Sequence, residues 1–289
     1  LHRAKQVMIK VWDVPTRLFH WTMLPVFAGL WFTGEQGGDW MEWHLRLGML
    51  MLVLLLFRVL WGLCGSQTAR FSNFLAGPAR IRAYLAGQLP VTAQPGHNPL
   101  GGWMVLALLL ALLLQAGLGL FAADVNSYLY DGPLKVLIDG ELAEQVTGWH
   151  KSSFDVLLLL AAVHVLAVLF YKVGRNTDLV RPMLSGMKAL PADAAPLRFA
   201  PLWLALVLLL LVALLVFGGV PWLAASMAAS SSSKSAVSGT PWKARPCSCA
   251  PMAYMTKPGM GDRMDEPGTS QAIASKEISS SEPLPSISP

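Results

Sequence analysis

The chain has 289 residues, 54% of them hydrophobic and only 13% charged, with a mean hydropathy of +0.49. Soluble domains carry about 25% charged residues, and here the deficit falls in blocks, which excludes an ordinary soluble fold and points to a chain crossing a membrane. The net charge of +5 is not a nucleic-acid signal, because its distribution follows the loops between the apolar blocks.

Five stretches qualify as membrane spans: about 18–34, 44–64, 101–123, 150–171 and 201–223. Each has roughly the 17–25 residues that a hydrocarbon core of ~30 Å demands of a helix. Helices are expected because backbone groups in lipid must be satisfied within their own segment. The first span follows Arg3, Lys5, Lys10 and Arg17, and runs into Gly34-Glu35-Gln36-Gly37-Gly38 without a small-x-small cleavage site. It is therefore read as retained rather than as a signal peptide. The second span ends at Cys64, expected as a small buried apolar residue, and the loop after it holds Arg70, Arg80 and Arg82 with no acid. Lys172, Arg175, Arg181, Lys188 and Arg198 follow the fourth span. The alternate loops, 35–43 and 124–149, offer Lys135 against Glu35, Asp39, Glu42, Asp124, Asp131, Asp139, Glu141 and Glu144. The positive-inside rule then puts the N-terminus in the cytoplasm and, after five spans, the C-terminus outside.

The fifth span, LWLALVLLLLVALLVF, carries no polar residue and is expected as a peripheral, lipid-facing helix. Beyond it the composition turns to Ser, Ala, Pro, Lys and Met, too poor in bulky apolar residues to offset the cost of ordering, so 224–289 is expected to be disordered. Cys247 and Cys249 there form a C-x-C, half of a metal site at best, and no C-x-x-C-H for covalent haem attachment occurs. The expected fold class is thus an all-α integral membrane protein. A cytoplasmic segment (1–17) leads into a four-helix transmembrane bundle (18–171) and a basic cytoplasmic segment (172–200). The fifth transmembrane helix (201–223) and the disordered, periplasmic tail (224–289) complete it.

Four of the six histidines lie in or at the rims of spans: His20, His44, His150 and His164. Ionisable residues in membranes are rare and face the bundle interior. Fourteen residues at about 100° each fall some 40° short of four whole turns, so His150 and His164 share a helix face about 21 Å apart along the axis. Depth then pairs His44 with His150 near the outer side and His20 with His164 near the inner side. The inner match requires the first helix to begin a turn before Leu18, or to tilt. Two imidazoles from different helices at one depth are what a six-coordinate haem iron takes. Zinc or copper would need three or four converging ligands. A proton relay would need polar groups where residues 156–163 read VLLLLAAV.

Gly48 and Ala161, one turn from a histidine each, leave room for a flat macrocycle. Arg46 and Lys151 lie beside the outer pair, and Arg58, fourteen residues after His44, lies at inner depth; each could neutralise a haem propionate or snorkel to the rim. Asp155 could accept a proton near the outer haem or pair with Lys151 one turn away. His97, in PGHNP, reads as a loop residue, and Trp12, Trp21, Trp40, Trp43, Trp103 and Trp149 as an interfacial aromatic belt.

Over about residues 8–190 the chain resembles the bacterial cytochrome b-561 group, which includes the cytochrome b subunits of nickel-iron hydrogenases. The resemblance lies in VWDVPTRLFHW, EWHxxxG, GHNPLGG and the H-x13-H of the fourth span. It implies two b-type haems ligated by His20, His44, His150 and His164 in the bacterial inner membrane. It also implies electron transfer between the quinone pool and a periplasmic redox partner, a c-type cytochrome or hydrogenase, by an electron-transfer subunit rather than a stand-alone enzyme. A membrane anchor that docks such an enzyme, and a superoxide:quinone oxidoreductase, are the alternative readings. Lipid is the other partner, and a homodimer is left open.

Overall fold

A computed structural model describes residues 6–89, 95–124, 129–192 and 194–237, with side chains through 230. Strand β1 (Gln6–Lys10) is followed by helices α1 (Val14–Gln36) and α2 (Trp40–Cys64), and by short helices α3 (Phe71–Phe74) and α4 (Pro78–Leu85). Helix α5 (Pro99–Phe121) and a 3-10 turn at Lys135–Leu137 precede α6 (Gly140–Gly174). The chain continues through α7 (Val180–Ser185), strand β2 (Met187–Pro191) and α8 (Leu202–Leu214); a π-helical segment, Leu215–Gly219, then leads without a break into α9 (Val220–Val237). Among the described residues, four helices are long and apolar enough to cross a membrane: Trp40–Cys64, Pro99–Phe121, Gly140–Gly174 and Leu202–Ser230. Helix α1 has the length, 23 residues, but Thr16, Arg17, His20, Thr22, Thr33 and Glu35 make it less apolar.

Local chemistry sets the helix ends. Asp13 caps α1, its Oδ1 accepting the Thr16 N–H at 2.9 Å, and Pro15 fits the first turn, where no donor is needed. The turn into α2 uses Gly37 and Gly38 at φ +62° and +52°, a region open to glycine. Asn98 caps α5 by accepting the Gly101 N–H at 2.6 Å, with Pro99 as its first residue. Asp139 caps α6 by accepting the Leu142 N–H at 2.8 Å.

Helix α1 packs along α2 and α5 along α6, while α2 joins the two hairpins through α5. Val26 of α1, Leu55 of α2, Leu109 of α5 and Leu157 of α6 meet in one core. In lipid such a cluster stabilises by close packing rather than by leaving water. The backbone of α6 approaches α5 closely but neither α1 nor α2 to a comparable degree. The α8–α9 rod lies on the outer face of α2, with Ala205 against Phe57 and Trp61, and Val212 and Val216 against Leu52 and Val53.

Because the long helices alternate in direction, basic and acidic segments gather at opposite ends. At the basic end β1 pairs antiparallel with β2, Gln6 opposite Pro191 and Lys10 opposite Met187. The Gly186 carbonyl accepts the N–H groups of Val11 and Trp12 at 2.8 and 3.1 Å. Arg17 donates to the carbonyls of Met183 and Leu184, and Trp21 to that of Met183. These bonds tie the start of α1 to the segment that follows α6.

Several expectations change. Helix α1 does begin a turn before Leu18, as the inner pairing needs. Helix α6 runs 35 residues, about 52 Å, so 140–149 is helix rather than loop. Helix continues from 224 to 237 where a disordered tail was expected, since Ala and Ser extend an existing helix at little cost once nucleation is done. Residues 238–289, with Cys247 and Cys249, lie outside the described residues. Cys64 is exposed rather than buried, its Sγ–H donating to the Leu60 carbonyl at 3.2 Å. Trp12 is buried against Val11 and Leu190 instead of joining an aromatic belt.

Candidate functional site

His44 enters the interior from the second turn of α2. Its Nδ1 lies 3.0 Å from the Leu30 carbonyl and 3.2 Å from the Thr33 hydroxyl of α1. A carbonyl only accepts, so Nδ1 carries the proton. The Thr33 hydroxyl accepts from it and donates in turn to the Gly29 carbonyl at 2.7 Å. His150 repeats the pattern across the bundle, its Nδ1–H donating to the Gln115 carbonyl of α5 at 3.0 Å. In each ring Nε2 is left as the nitrogen with a lone pair, and the Gln115 amide donates to that of His150 over a long 3.4 Å. The two ring centres stand 6.2 Å apart, nearly perpendicular.

Small residues seat these rings. A Cβ on Gly34 would come within 3.1 Å of the His44 ring, and one on Gly119 within 3.1 Å of the His150 ring. Beside them, Gly48 would find nothing within 4 Å, which leaves open space one turn from His44.

Fourteen residues along, at the basic end, His20 and His164 lie within electrostatic reach of each other without ring contact. His20 Nδ1 is buried and has no hydrogen-bond partner. His97 joins this level from the loop ahead of α5, within reach of His20, His164, Arg58 and Lys188. Its ring meets Trp12 and Phe74, each at 4.7 Å between centres. Burial pushes the His97 imidazole down to about 3, with Arg58 and Lys188 adding to the effect, so it is neutral at physiological pH. Burial also lowers Lys188 from the usual amine range.

The flanking cations separate into two kinds. Arg46 is exposed, ion-paired with Glu42 and set over the Trp43 ring at 5.2 Å. Lys151 is exposed beside His150, and it forms no ion pair with Asp155, itself exposed. Arg58 does not snorkel to a rim: it is 3% exposed, with Nη1 buried and unpartnered.

Among the described residues no three or more His, Cys, Asp or Glu side chains converge on one metal position, whereas a haem iron needs two ligands from the protein. Two nitrogen–metal bonds of about 2 Å, with about 1 Å from each nitrogen to its ring centre, put two imidazoles sharing one ion about 6 Å apart. The His44–His150 separation fits that, the Nδ1 bonds orient the rings as ligating histidines are oriented, and the open space beside Gly48 leaves room for a planar group. The residues present therefore fit haem.

Sequence reasoning missed Thr33 and Gln115, and read His97 as a loop residue without its burial beside the inner histidines. Gln115 stands alone as a polar residue in LALLLQAGLG, a signal of interior facing that could have been read. The Leu30 and Gln115 carbonyls leave no trace in residue type.

A family model described as prokaryotic cytochrome b561 matches residues 11–186. No curated protein and no solved structure matches the chain.

Proposed function

The chain belongs to the prokaryotic cytochrome b561 family, a membrane b-type cytochrome of electron transfer, and from that premise we propose a transmembrane conductor with two bis-histidine haems. His44 and His150 hold the haem nearer the acidic end, and His20 and His164 hold the other. The observation that carries the reading is the matched orientation of His44 and His150, each with Nδ1 fixed on a carbonyl of a neighbouring helix at 3.0 Å. Haem b supplies a one-electron couple. The chain binds and orients it, and tunes its potential through ligand hydrogen bonds and burial. The apolar run of α6 between His150 and His164 keeps water and protons from crossing between the two levels. Arg58 is suited to a propionate of the second haem. Lys151 is suited to one of the first, and Arg46 could serve only by leaving Glu42.

The wider assignment follows from charge. With the basic end in the cytoplasm, electrons pass between the quinone pool and a periplasmic redox protein, a c-type cytochrome or a hydrogenase-like enzyme. The acidic end is the docking face for a basic partner. The α8–α9 rod is a peripheral fifth crossing in contact with lipid.

His164→Ala tests the arrangement. The purified variant is expected to hold one haem where the parent holds two, by pyridine haemochrome against protein, with one b-type midpoint left in a redox titration. Retention of two haems at full occupancy would remove His164 from the ligand set.

A further inference from the structure

Arg58 presents an electrostatic problem that the fold does not solve. Its guanidinium is buried, Nη1 lacks a hydrogen-bond partner, and neither the Arg46–Glu42 nor the Lys135–Asp131 ion pair involves it. Asp13 is within electrostatic reach and offsets part of the charge, but it forms no ion pair with Arg58; its Oδ1 accepts from the Thr16 N–H and its Oδ2 from the Trp61 Nε1–H, each at 2.9 Å. The rings of Phe71 and Phe74 lie 5.3 and 6.0 Å from the guanidinium. Ring contacts and a carboxylate that makes no ion pair offset only part of the cost of burying this charge. A buried cation of this kind is built for an anion.

A second donor flanks the same Phe74 ring. His97 lies against it at 4.7 Å between centres, tilted by 52°, and its Nδ1 is buried and unpartnered. Being neutral, His97 offers an N–H without a second full charge. One guanidinium and one neutral N–H match one carboxylate in charge and in donors. The level is also right: Arg58 follows His44 by the interval that separates His164 from His150, and His97 is within reach of both His20 and His164.

We propose that Arg58 of α2 and His97 of the loop ahead of α5 together receive a carboxylate, one propionate of the haem at the basic-end level. The site rests on the two-haem reading above and adds to it a regulatory consequence. A fixed positive charge beside the propionate disfavours the oxidised iron, so Arg58 raises the midpoint of this haem relative to the same site without it. His97 holds the carboxylate in place and is a positioning residue. The GHNPLGG motif thereby gains a purpose: Asn98 and Pro99 start α5 and fix the loop that carries His97.

The test is a redox titration of the detergent-purified holoprotein, with resonance Raman bands of the propionate deformation, for the parent, Arg58→Gln, Arg58→Lys and His97→Gln. Arg58→Gln is expected to keep two haems while one midpoint falls by a tenfold change in the reduced-to-oxidised ratio, 59 mV for a one-electron couple. The other midpoint stays, and one propionate band shifts. Arg58→Lys should recover most of the midpoint, and His97→Gln should shift the same band with a smaller fall. Unchanged midpoints and bands in variants that hold both haems would overturn the proposal. Where Arg58→Gln does not retain haem, Arg58→Lys and His97→Gln decide by the same readouts. A parent protein with fewer than two haems would instead overturn the two-haem reading.

Discussion

The Thr33 hydroxyl stands between α1 and the His44 ring, accepting from Nδ1–H while donating to the Gly29 carbonyl. Thr33→Val keeps the shape and deletes both bonds. The Leu30 carbonyl preserves the tautomer, so the ring loses orientation rather than its proton. Partners of ligating histidines are worth 10–100-fold in affinity. On the two-haem proposal, one haem of Thr33→Val is accordingly expected to transfer to an excess of apomyoglobin about 10–100-fold faster than in the parent, with the other unaffected. Equal transfer rates for both proteins would dissociate Thr33 from the site. At this scale the four histidines stood out as candidates because a titratable side chain in an apolar run is conspicuous. Their carbonyl partners were not, because every residue has a carbonyl and only the packing of α1 on α2 and α5 on α6 selects Leu30 and Gln115. Arg58 was legible as a residue at the right depth, but its burial was not, since a long side chain can snorkel or turn inward with the same sequence.

Among the elements, the start of α5 shows how close backbones come. A Cβ on Gly102 would lie 2.7 Å from the Phe74 carbonyl oxygen, a backbone atom that cannot move without displacing α3. The Trp103 Nε1–H fixes the same contact from the side, donating to the Ala76 carbonyl at 2.9 Å. Gly102→Ala is therefore expected to destabilise by about 1–3 kcal/mol, as overpacking does. Differential scanning fluorimetry should show it as a lower melting temperature, and a melt equal to the parent's would contradict the tight approach. The apolar runs announced the long helices because their length is dictated by the bilayer. The ends were less legible: α6 starts ten residues early because Asp139 supplies a cap well before the apolar run. The two strands went unseen because five-residue segments at opposite ends of the domain carry no mutual signal until they meet.

For the whole molecule the decisive property is the separation of charge. Glu35, Glu42, Asp131, Asp139, Glu141 and Glu144 lie toward one end, while Arg17, Arg70, Arg181 and Lys188 lie toward the other. A basic redox partner approaching the acidic end feels a field that salt screens over about 10 Å at 0.1 M and about 30 Å at 0.01 M. Stopped-flow reduction of a basic c-type cytochrome by the reduced protein should slow several-fold between those ionic strengths. A rate independent of salt would remove the acidic end from the docking reading.

The pairing of β1 with β2 also bears on how the protein is made. Its partners are about 180 residues apart, and at 5–20 residues per second the N-terminal strand waits roughly 10–40 s after emerging before its mate exists. The four histidines proposed as ligands, and the loop bearing His97, are synthesised in that interval. The strand pair can therefore close only once everything between its two strands has been made, so that the start and the end of the segment matched by the family model are joined late and directly, by backbone hydrogen bonds.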